Sequence, residues 1–217
     1  MKSKLIVALD VDTFAEAATL VNDLSPVVEV FKVGSQLFTS VGPRIIDFIH
    51  SQGRQVFLDL KYHDIPNTVA KAVGVAALHR VHMLTIHTCG GMEMMTAAAR
   101  VPNRPLIVGV TVLTSVAGDQ EAEVLSRARQ AQVAGLTGVV ASPLELPVLR
   151  RELGTEFVIV TPGVRPAWAA AGDQQRIMSP AEAVRAGASY LVVGRPILAA
   201  AQPVAAAERV LAEMAAA

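Results

Sequence analysis

The sequence has little cysteine and little charge, and both shortages restrict what the protein does. Cys89 is the single cysteine among 217 residues, which excludes an intrachain disulfide and a cysteine-rich metal site. Lys and Arg number 19 and Asp and Glu number 19, so the formal net charge is zero. A neutral chain is not steered toward nucleic acid or an anionic membrane, and we expect neither as a partner.

A long hydrophobic run is also missing. The apolar stretch near the N-terminus is stopped by Asp10, which makes it too short for a signal peptide core or a membrane span. We therefore expect a cytoplasmic protein. Aromatic residues make up only 4 % of the chain while hydrophobic residues make up 52 %, a balance that suits parallel strands covered by helices.

Short apolar runs alternate with segments of helical periodicity along the whole chain. The runs predict strands at Leu5–Leu9, Val28–Val33, Val56–Leu60, Met83–His87, Leu106–Val112, Gly138–Ala141, Phe157–Thr161 and Tyr190–Val193. The periodic segments predict helices at Thr13–Leu24, Pro43–Gln52, Thr68–Arg80, Met92–Arg100, Glu121–Ala134, Leu144–Leu153, Pro180–Ala186 and Ile197–Met214. Eight such units predict an α/β fold, a (β/α)8 TIM barrel, with residues 1–217 forming a single domain.

An open doubly wound sheet is the main alternative fold. Its fingerprint is G-x-G-x-x-G after the first strand, and here Asp10-Val11-Asp12 follows instead. Asp12 directly precedes the first helical segment, so we expect it to cap that helix.

Charged residues sit at the ends of three neighbouring predicted strands. Asp10 ends the first strand, Lys32 lies near the end of the second, and Asp59 and Lys61 end the third. Residues two apart on a strand point to the same side, so Asp59 and Lys61 should face one way. One such residue alone is usually a cap or is solvated. A cluster of opposite charges in a pocket is costly to desolvate, and the set therefore indicates function.

The end of the eighth strand looks suited to an anion. Gly194 lets an anion approach the backbone, Arg195 adds a cation, and Pro196 fits the first turn of a helix. The segment from residue 162 to residue 176 is long and without clear periodicity, which is typical of a functional loop, and we interpret it as a lid. Arg165 and Gln174 are its candidate ligand contacts, and Trp168 has no evident role.

Seven motifs, in order, resemble the orotidine 5′-phosphate decarboxylase family. The strongest is FLDLKYHDIPNTV at Phe57–Val69, which matches the pattern D-x-K-x-x-D-I-P-N-T. The others are ALDVD at Ala8–Asp12, FKVG at Phe31–Gly34, VTVLTS at Val110–Ser115, TPGVRP at Thr161–Pro166, GDQ at Gly172–Gln174 and VVGRPI at Val192–Ile197.

The resemblance implies decarboxylation of orotidine 5′-monophosphate to uridine 5′-monophosphate, the last step of de novo pyrimidine synthesis, with no metal or organic cofactor. It implies that Lys61 donates a proton to pyrimidine C6 and that Asp59 lies next to the substrate carboxylate. Asp64 and Thr68 would reach into the neighbouring subunit's site, so the active unit would be a homodimer. The catalytic set is then Lys32, Asp59, Lys61 and Asp64.

The same resemblance implies a set of substrate contacts around these residues. Asp10 and Lys32 would bind ribose hydroxyls, and Thr114 would contact the pyrimidine. Arg165, Gln174, Gly194 and Arg195 would hold the phosphate. Ile65 and Pro162, which stand within the matching motifs, complete the substrate-binding set.

Two other functions stay open. Metal-dependent relatives that act on sugar phosphates, such as 3-keto-L-gulonate 6-phosphate decarboxylase and hexulose-phosphate synthase, share the barrel and the D-x-K-x-x-D pattern. They place an acidic residue near the end of strand 2 to hold magnesium, where this chain has Lys32. A catalytically idle nucleotide-binding barrel is the second alternative, and it predicts a broken charge cluster.

Overall fold

The computed structural model describes residues 3–113, 120–169 and 178–217, and its strands close into a parallel barrel. Each strand pairs with the next along the chain, and the eighth pairs with the first. The strands are β1 Lys4–Ala8, β2 Val30–Gly34, β3 Gln55–Tyr62, β4 Met83–His87, β5 Leu106–Val110, β6 Gly138–Val140, β7 Val158–Thr161 and β8 Tyr190–Val193. The predicted (β/α)8 barrel is confirmed.

Helices surround this barrel. They are α1 Phe14–Leu24, α2 Ser35–Val41, α3 Arg44–Ser51, α4 Pro66–Leu78, α5 Gly91–Ala99, α6 Glu121–Val133, α7 Leu146–Leu153, α8 Pro180–Arg185, α9 Arg195–Leu198 and α10 Pro203–Ala215. In the described ranges, no helix is both long enough and apolar enough to span a bilayer.

The helix predictions were wrong in two places. Helix α2 was not predicted, and the single helix expected at Ile197–Met214 is two helices, α9 and α10. Pro203 stands in the first turn of α10. A proline has no backbone N–H to donate, so it is tolerated there but ends a helix that would run through it.

The cap of the first helix also differs from the expectation. Thr13 caps α1, because its Oγ1 accepts from the backbone N–H of Glu16 at 3.2 Å. The Glu16 carboxylate accepts in return from the Thr13 N–H at 3.0 Å, which completes a capping box. Asp12 instead accepts a hydrogen bond from Gln36 Nε2 at 2.7 Å, and so connects the loop after β1 to α2.

Alternate residues of the strands build two hydrophobic layers. One layer fills the barrel interior and consists of Ile6, Val30, Phe57, Met83, Val108, Val158, Val160 and Tyr190. The larger layer lies between strands and helices. Because side chains two apart share a face, Lys32 follows Val30 and Asp59 follows Phe57 on the inner side. The interior layer therefore directs both charged side chains to the carboxyl end of the barrel.

Candidate active site

Four charged side chains form a row at the carboxyl ends of the first three strands. Asp10 Oδ1 lies 3.1 Å from Lys32 Nζ, and Lys32 Nζ lies 3.5 Å from Asp59 Oδ2. The other oxygen of that carboxylate, Asp59 Oδ1, lies 2.9 Å from Lys61 Nζ. The charges alternate along the row, so each inner member faces two opposite charges. The sequence predicted this grouping.

Solvent reaches the two ends of the row far more than its middle. The side chains of Lys32 and Asp59 are 13 % and 14 % exposed, whereas those of Lys61 and Asp10 are 37 % and 51 % exposed. Burial alone raises the pKa of Asp59, but Lys32 and Lys61 outweigh it, with help from hydrogen bonds donated by Lys61 and Thr85. The net pKa of Asp59 lies below its ordinary value, so this buried carboxylate is ionised at neutral pH.

Strand β3 presents Lys61 through an irregularity. Between paired positions, β3 advances from Leu58 to Tyr62 while β4 advances only from Leu84 to Ile86. Lys61 has φ of 52°, in the left-handed region that non-glycine residues rarely adopt. Simple alternation correctly predicted that Asp59 and Lys61 share a side, but it did not predict this bulge.

Thr85 on β4 supports the bulge, and sequence reasoning missed it. Its hydroxyl accepts from the backbone N–H of Lys61 at 2.8 Å and donates to Asp59 Oδ1 at 3.0 Å. Thr85 is 1 % exposed. Its signal in the sequence was a polar residue at an inward position of strand β4, between the apolar Leu84 and Ile86.

The row lines one side of a cavity of about 270 Å³ at the mouth of the barrel. Apolar side chains of β5, β6 and β7 form its floor, namely Val110, Val140 and Val160. Pro162, Arg165, Gly194 and Arg195 also line it. Arg165 is almost fully buried, whereas Arg195 is exposed at the start of α9. The cavity thus combines a charged row, an apolar floor and two arginines.

Comparison with known proteins assigns this geometry to a family. Residues 3–210 match the family model described as Orotidine 5'-phosphate decarboxylase / HUMPS family. The chain belongs to this family. Orotidine 5'-phosphate decarboxylase of Heliobacterium modesticaldum is 50 % identical, over 99 % of this chain and 96 % of that protein. The protein of the same name from Syntrophotalea carbinolica is also 50 % identical, over 100 % and 96 %.

A solved structure of the same name agrees in fold. The crystal structure of orotidine 5'-phosphate decarboxylase from Lactobacillus acidophilus superposes with a TM-score of 0.85 at 35 % identity, covering 98 % of this chain and 99 % of that one. The family match therefore extends from sequence motifs to the complete barrel.

Some predicted site residues of the family motif lie away from the cavity. Asp64, Ile65 and Thr68 are exposed around the start of α4 and do not line the cavity of their own chain. The Asp64 carboxylate accepts from the Ile65 backbone N–H at 2.6 Å. Thr114 and Gln174, the other two predicted contacts of the family motifs, lie outside the described residues.

The described start of the expected lid is attached to the last helix. Trp168 Nε1 donates to Glu213 Oε1 on α10 at 2.8 Å, and the Arg209 guanidinium lies 4.4 Å from the centre of the indole ring. These contacts give Trp168 a structural role that the sequence did not suggest. They hold the segment between Pro162 and Ala169 beside the arginine end of the cavity.

The described ranges contain no group of three His, Cys, Asp or Glu side chains placed to hold a metal ion. Lys32 occupies the position at which the sugar-phosphate enzymes were expected to carry an acidic ligand, and its ammonium is held between two carboxylates. A cation in that place repels a divalent metal.

Proposed function

We propose that this chain is a carboxy-lyase that converts orotidine 5′-monophosphate to uridine 5′-monophosphate and carbon dioxide. One observation carries the proposal: the alternating row Asp10–Lys32–Asp59–Lys61 lines the same cavity as Arg165 and Arg195. The substrate carries two anionic groups, a carboxylate and a phosphate, at opposite ends. The names of the relatives that match nearly the whole chain support the same reaction.

Lys61 is the proposed proton donor. Loss of carbon dioxide leaves an electron pair on C6 of the pyrimidine, and an ammonium beside that carbon stabilises the developing negative charge. The same ammonium then gives its proton to C6, which completes the product. Asp59 Oδ1, 2.9 Å from Lys61 Nζ, fixes the direction of the ammonium through a charge-assisted hydrogen bond.

The remaining members of the row position the substrate. We assign Asp10 and Lys32 to the ribose hydroxyls and Asp59 to the neighbourhood of the substrate carboxylate. Because Lys32 is held by two carboxylates, its ammonium has a fixed place from which to donate hydrogen bonds.

The opposite end of the cavity is the proposed phosphate site. Arg165 and Arg195 supply charge-assisted hydrogen bonds, Gly194 leaves the backbone accessible, and Pro162 lines the approach. Thr114 and Gln174 are assigned to the pyrimidine and the phosphate by their motifs alone. Binding energy gained at the phosphate is available to hold the pyrimidine against Lys61.

A homodimer is the proposed active unit. Asp64, Ile65 and Thr68 are exposed in the single chain, and we assign them to the site of a second copy. Ile65 is 65 % exposed and Leu78, at the other end of α4, is 83 % exposed. Apolar side chains at this exposure are stabilised when a partner covers them.

We further propose that residues 1–217 act as one domain in the cytoplasm and that the reaction needs no metal or organic cofactor. The experiment is a UV assay of the purified protein with orotidine 5′-monophosphate, in parallel reactions with and without a metal chelator. Turnover that survives the chelator supports the proposal. Activity that the chelator removes and Mg²⁺ restores would support the sugar-phosphate alternative, and no turnover at all would support a binding-only barrel.

A further inference from the structure

We propose that Thr85 is a positioning residue that holds the Lys61 ammonium against the Asp59 carboxylate. The kinetic consequences of this inference rest on the proposed function, whereas its structural part rests on the hydrogen bonds among Thr85, Lys61 and Asp59. Thr85 lies on β4, inside the barrel. Its side chain contacts Lys61 and Asp59 without itself lining the cavity.

The backbone of Lys61 depends on Thr85. Its positive φ is unfavourable for a residue with a Cβ, so something must hold it there. The register shift between β3 and β4 interrupts the ladder beside Lys61. The Thr85 hydroxyl accepts from the Lys61 N–H at 2.8 Å, and so takes the place of a strand carbonyl.

The direction of the Asp59 carboxylate also depends on Thr85. Asp59 Oδ1 receives hydrogen bonds from Thr85 Oγ1 at 3.0 Å and from Lys61 Nζ at 2.9 Å. A single hydroxyl thus fixes both the backbone that carries the ammonium and the oxygen that attracts it. Threonine is β-branched and restricted at χ1, so its hydroxyl stays in place.

Burial makes these bonds consequential. Thr85 is 1 % exposed and Asp59 is 14 % exposed at its side chain, so water does not readily replace the hydroxyl if it is removed. The part-buried Lys61 N–H and the Asp59 carboxylate oxygen both lose stabilisation when this partner is removed. Relaxation of the bulge is the expected response, and it moves the Lys61 ammonium.

The variants Thr85→Val and Thr85→Ser separate the hydroxyl from the shape of the side chain. Valine keeps the branched shape and removes the hydroxyl, and serine keeps the hydroxyl. We expect kcat to fall about 10- to 100-fold in Thr85→Val, the range for a lost hydrogen bond to a charged group, while KM changes less than about threefold. Thr85→Ser should stay within about threefold of the wild type.

A pH profile distinguishes positioning from general loosening of the core. The hydroxyl favours the ionised form of Asp59, so the acid limb of kcat/KM should move to higher pH in Thr85→Val. Among the described residues, the charged or titratable groups around this carboxylate are Lys32 on β2, Lys61 on β3 and His87 at the end of β4. Asp10, after β1, acts on it through Lys32. Because the pKa of His87 itself is lowered by burial and neighbouring cations, the comparison is made in a His87→Gln background.

Crystal structures of the ligand-free wild type and Thr85→Val decide the structural part without any turnover. The inference predicts that the Lys61 Nζ–Asp59 Oδ1 distance exceeds 4 Å in the variant or that Lys61 leaves positive φ. An unchanged ion pair, or a Thr85→Ser enzyme as slow as Thr85→Val, would overturn it. An inactive wild type would refute the proposed function instead, while the two structures would still decide the role of Thr85.

Discussion

Replacing Lys32 by methionine tests whether burial determines how much an ion pair of the charged row contributes to the free energy of unfolding. The variant keeps an unbranched side chain of similar length and removes the ammonium between Asp10 and Asp59. At the observed 3.5 Å from Asp59, an effective dielectric constant of about 20 gives an attraction of about 5 kcal/mol. The Asp10 pair adds at most about 1 kcal/mol, because the Asp10 side chain is half exposed.

The net loss is smaller than the attraction. Removing one partner of a buried pair costs about 3–5 kcal/mol, but Lys61 still faces Asp59 and the desolvation cost of Lys32 disappears. We therefore expect Lys32→Met to lower the free energy of unfolding by about 2–3 kcal/mol at pH 7. For a domain of this length, that corresponds to a fall in Tm of about 5–10 °C.

The matched control is Lys4→Met. Lys4 Nζ lies only 2.8 Å from Glu29 Oε2, closer than the Lys32–Asp59 pair, but both side chains are largely exposed, at 46 % and 62 %. An exposed pair contributes less than about 1 kcal/mol. Urea unfolding at one fixed protein concentration compares the two variants. An equal loss in both would refute the claim that burial, rather than distance, decides the effect.

The pH dependence of this loss has a defined sign. The folded-state pKa of Asp59 is lowered, so its contribution to stability is present above the ordinary carboxyl pKa of about 3.9 and is lost as pH falls through the lowered value. Without Lys32 the buried Asp59 carboxyl is protonated at higher pH. Its protonation removes the cost of a buried negative charge that has lost one of its two cations, so the variant is less destabilised at acidic pH. The difference in the free energy of unfolding between wild type and Lys32→Met should therefore become smaller from pH 7 to pH 4.5. A difference that stays constant over this range would contradict the claim that Lys32 stabilises the ionised Asp59.

Three further experiments test other parts of the site. Arg195→Ala should raise KM for orotidine 5′-monophosphate at least about tenfold and leave turnover of the unphosphorylated nucleoside unchanged; an unchanged KM would refute the phosphate assignment. Inactive Asp64→Ala and Lys61→Ala chains, when mixed, should regain about a quarter of wild-type activity because half the dimers carry one intact site, and no recovery would argue against shared sites. Glu213→Ala removes the acceptor of the Trp168 Nε1 hydrogen bond. It should raise KM for orotidine 5′-monophosphate a few-fold and leave kcat unchanged.

The sequence predicted the barrel and the charged row for a physical reason. Strand alternation has a period of two, so Lys32 and Asp59 had to follow Val30 and Phe57 into the interior once those residues were assigned to the core. Eight alternating units left the closed parallel barrel as the expected arrangement, and the parallel pairing of β8 with β1 follows from closure.

Features that depend on contacts distant in the chain were not predictable in the same way. The positive φ of Lys61 arises from a register shift against β4, which alternation within β3 does not encode. Thr85 acts 24 residues away from the lysine it supports. Thr13, not Asp12, caps α1 because its partner Glu16 completes a capping box, and the three-residue spacing from Thr13 to Glu16 in the sequence is typical of that motif.

The central claim is that the Lys61 ammonium, held 2.9 Å from Asp59, is the group that protonates the pyrimidine. The most direct test is kcat for orotidine 5′-monophosphate in the wild type and in Lys61→Ala, with Tm measured for both to show that the variant is folded. Loss of both the electrostatic and the proton-donor contribution predicts a fall of at least about 10⁴-fold. A folded Lys61→Ala enzyme that turns over within tenfold of the wild type would contradict the account.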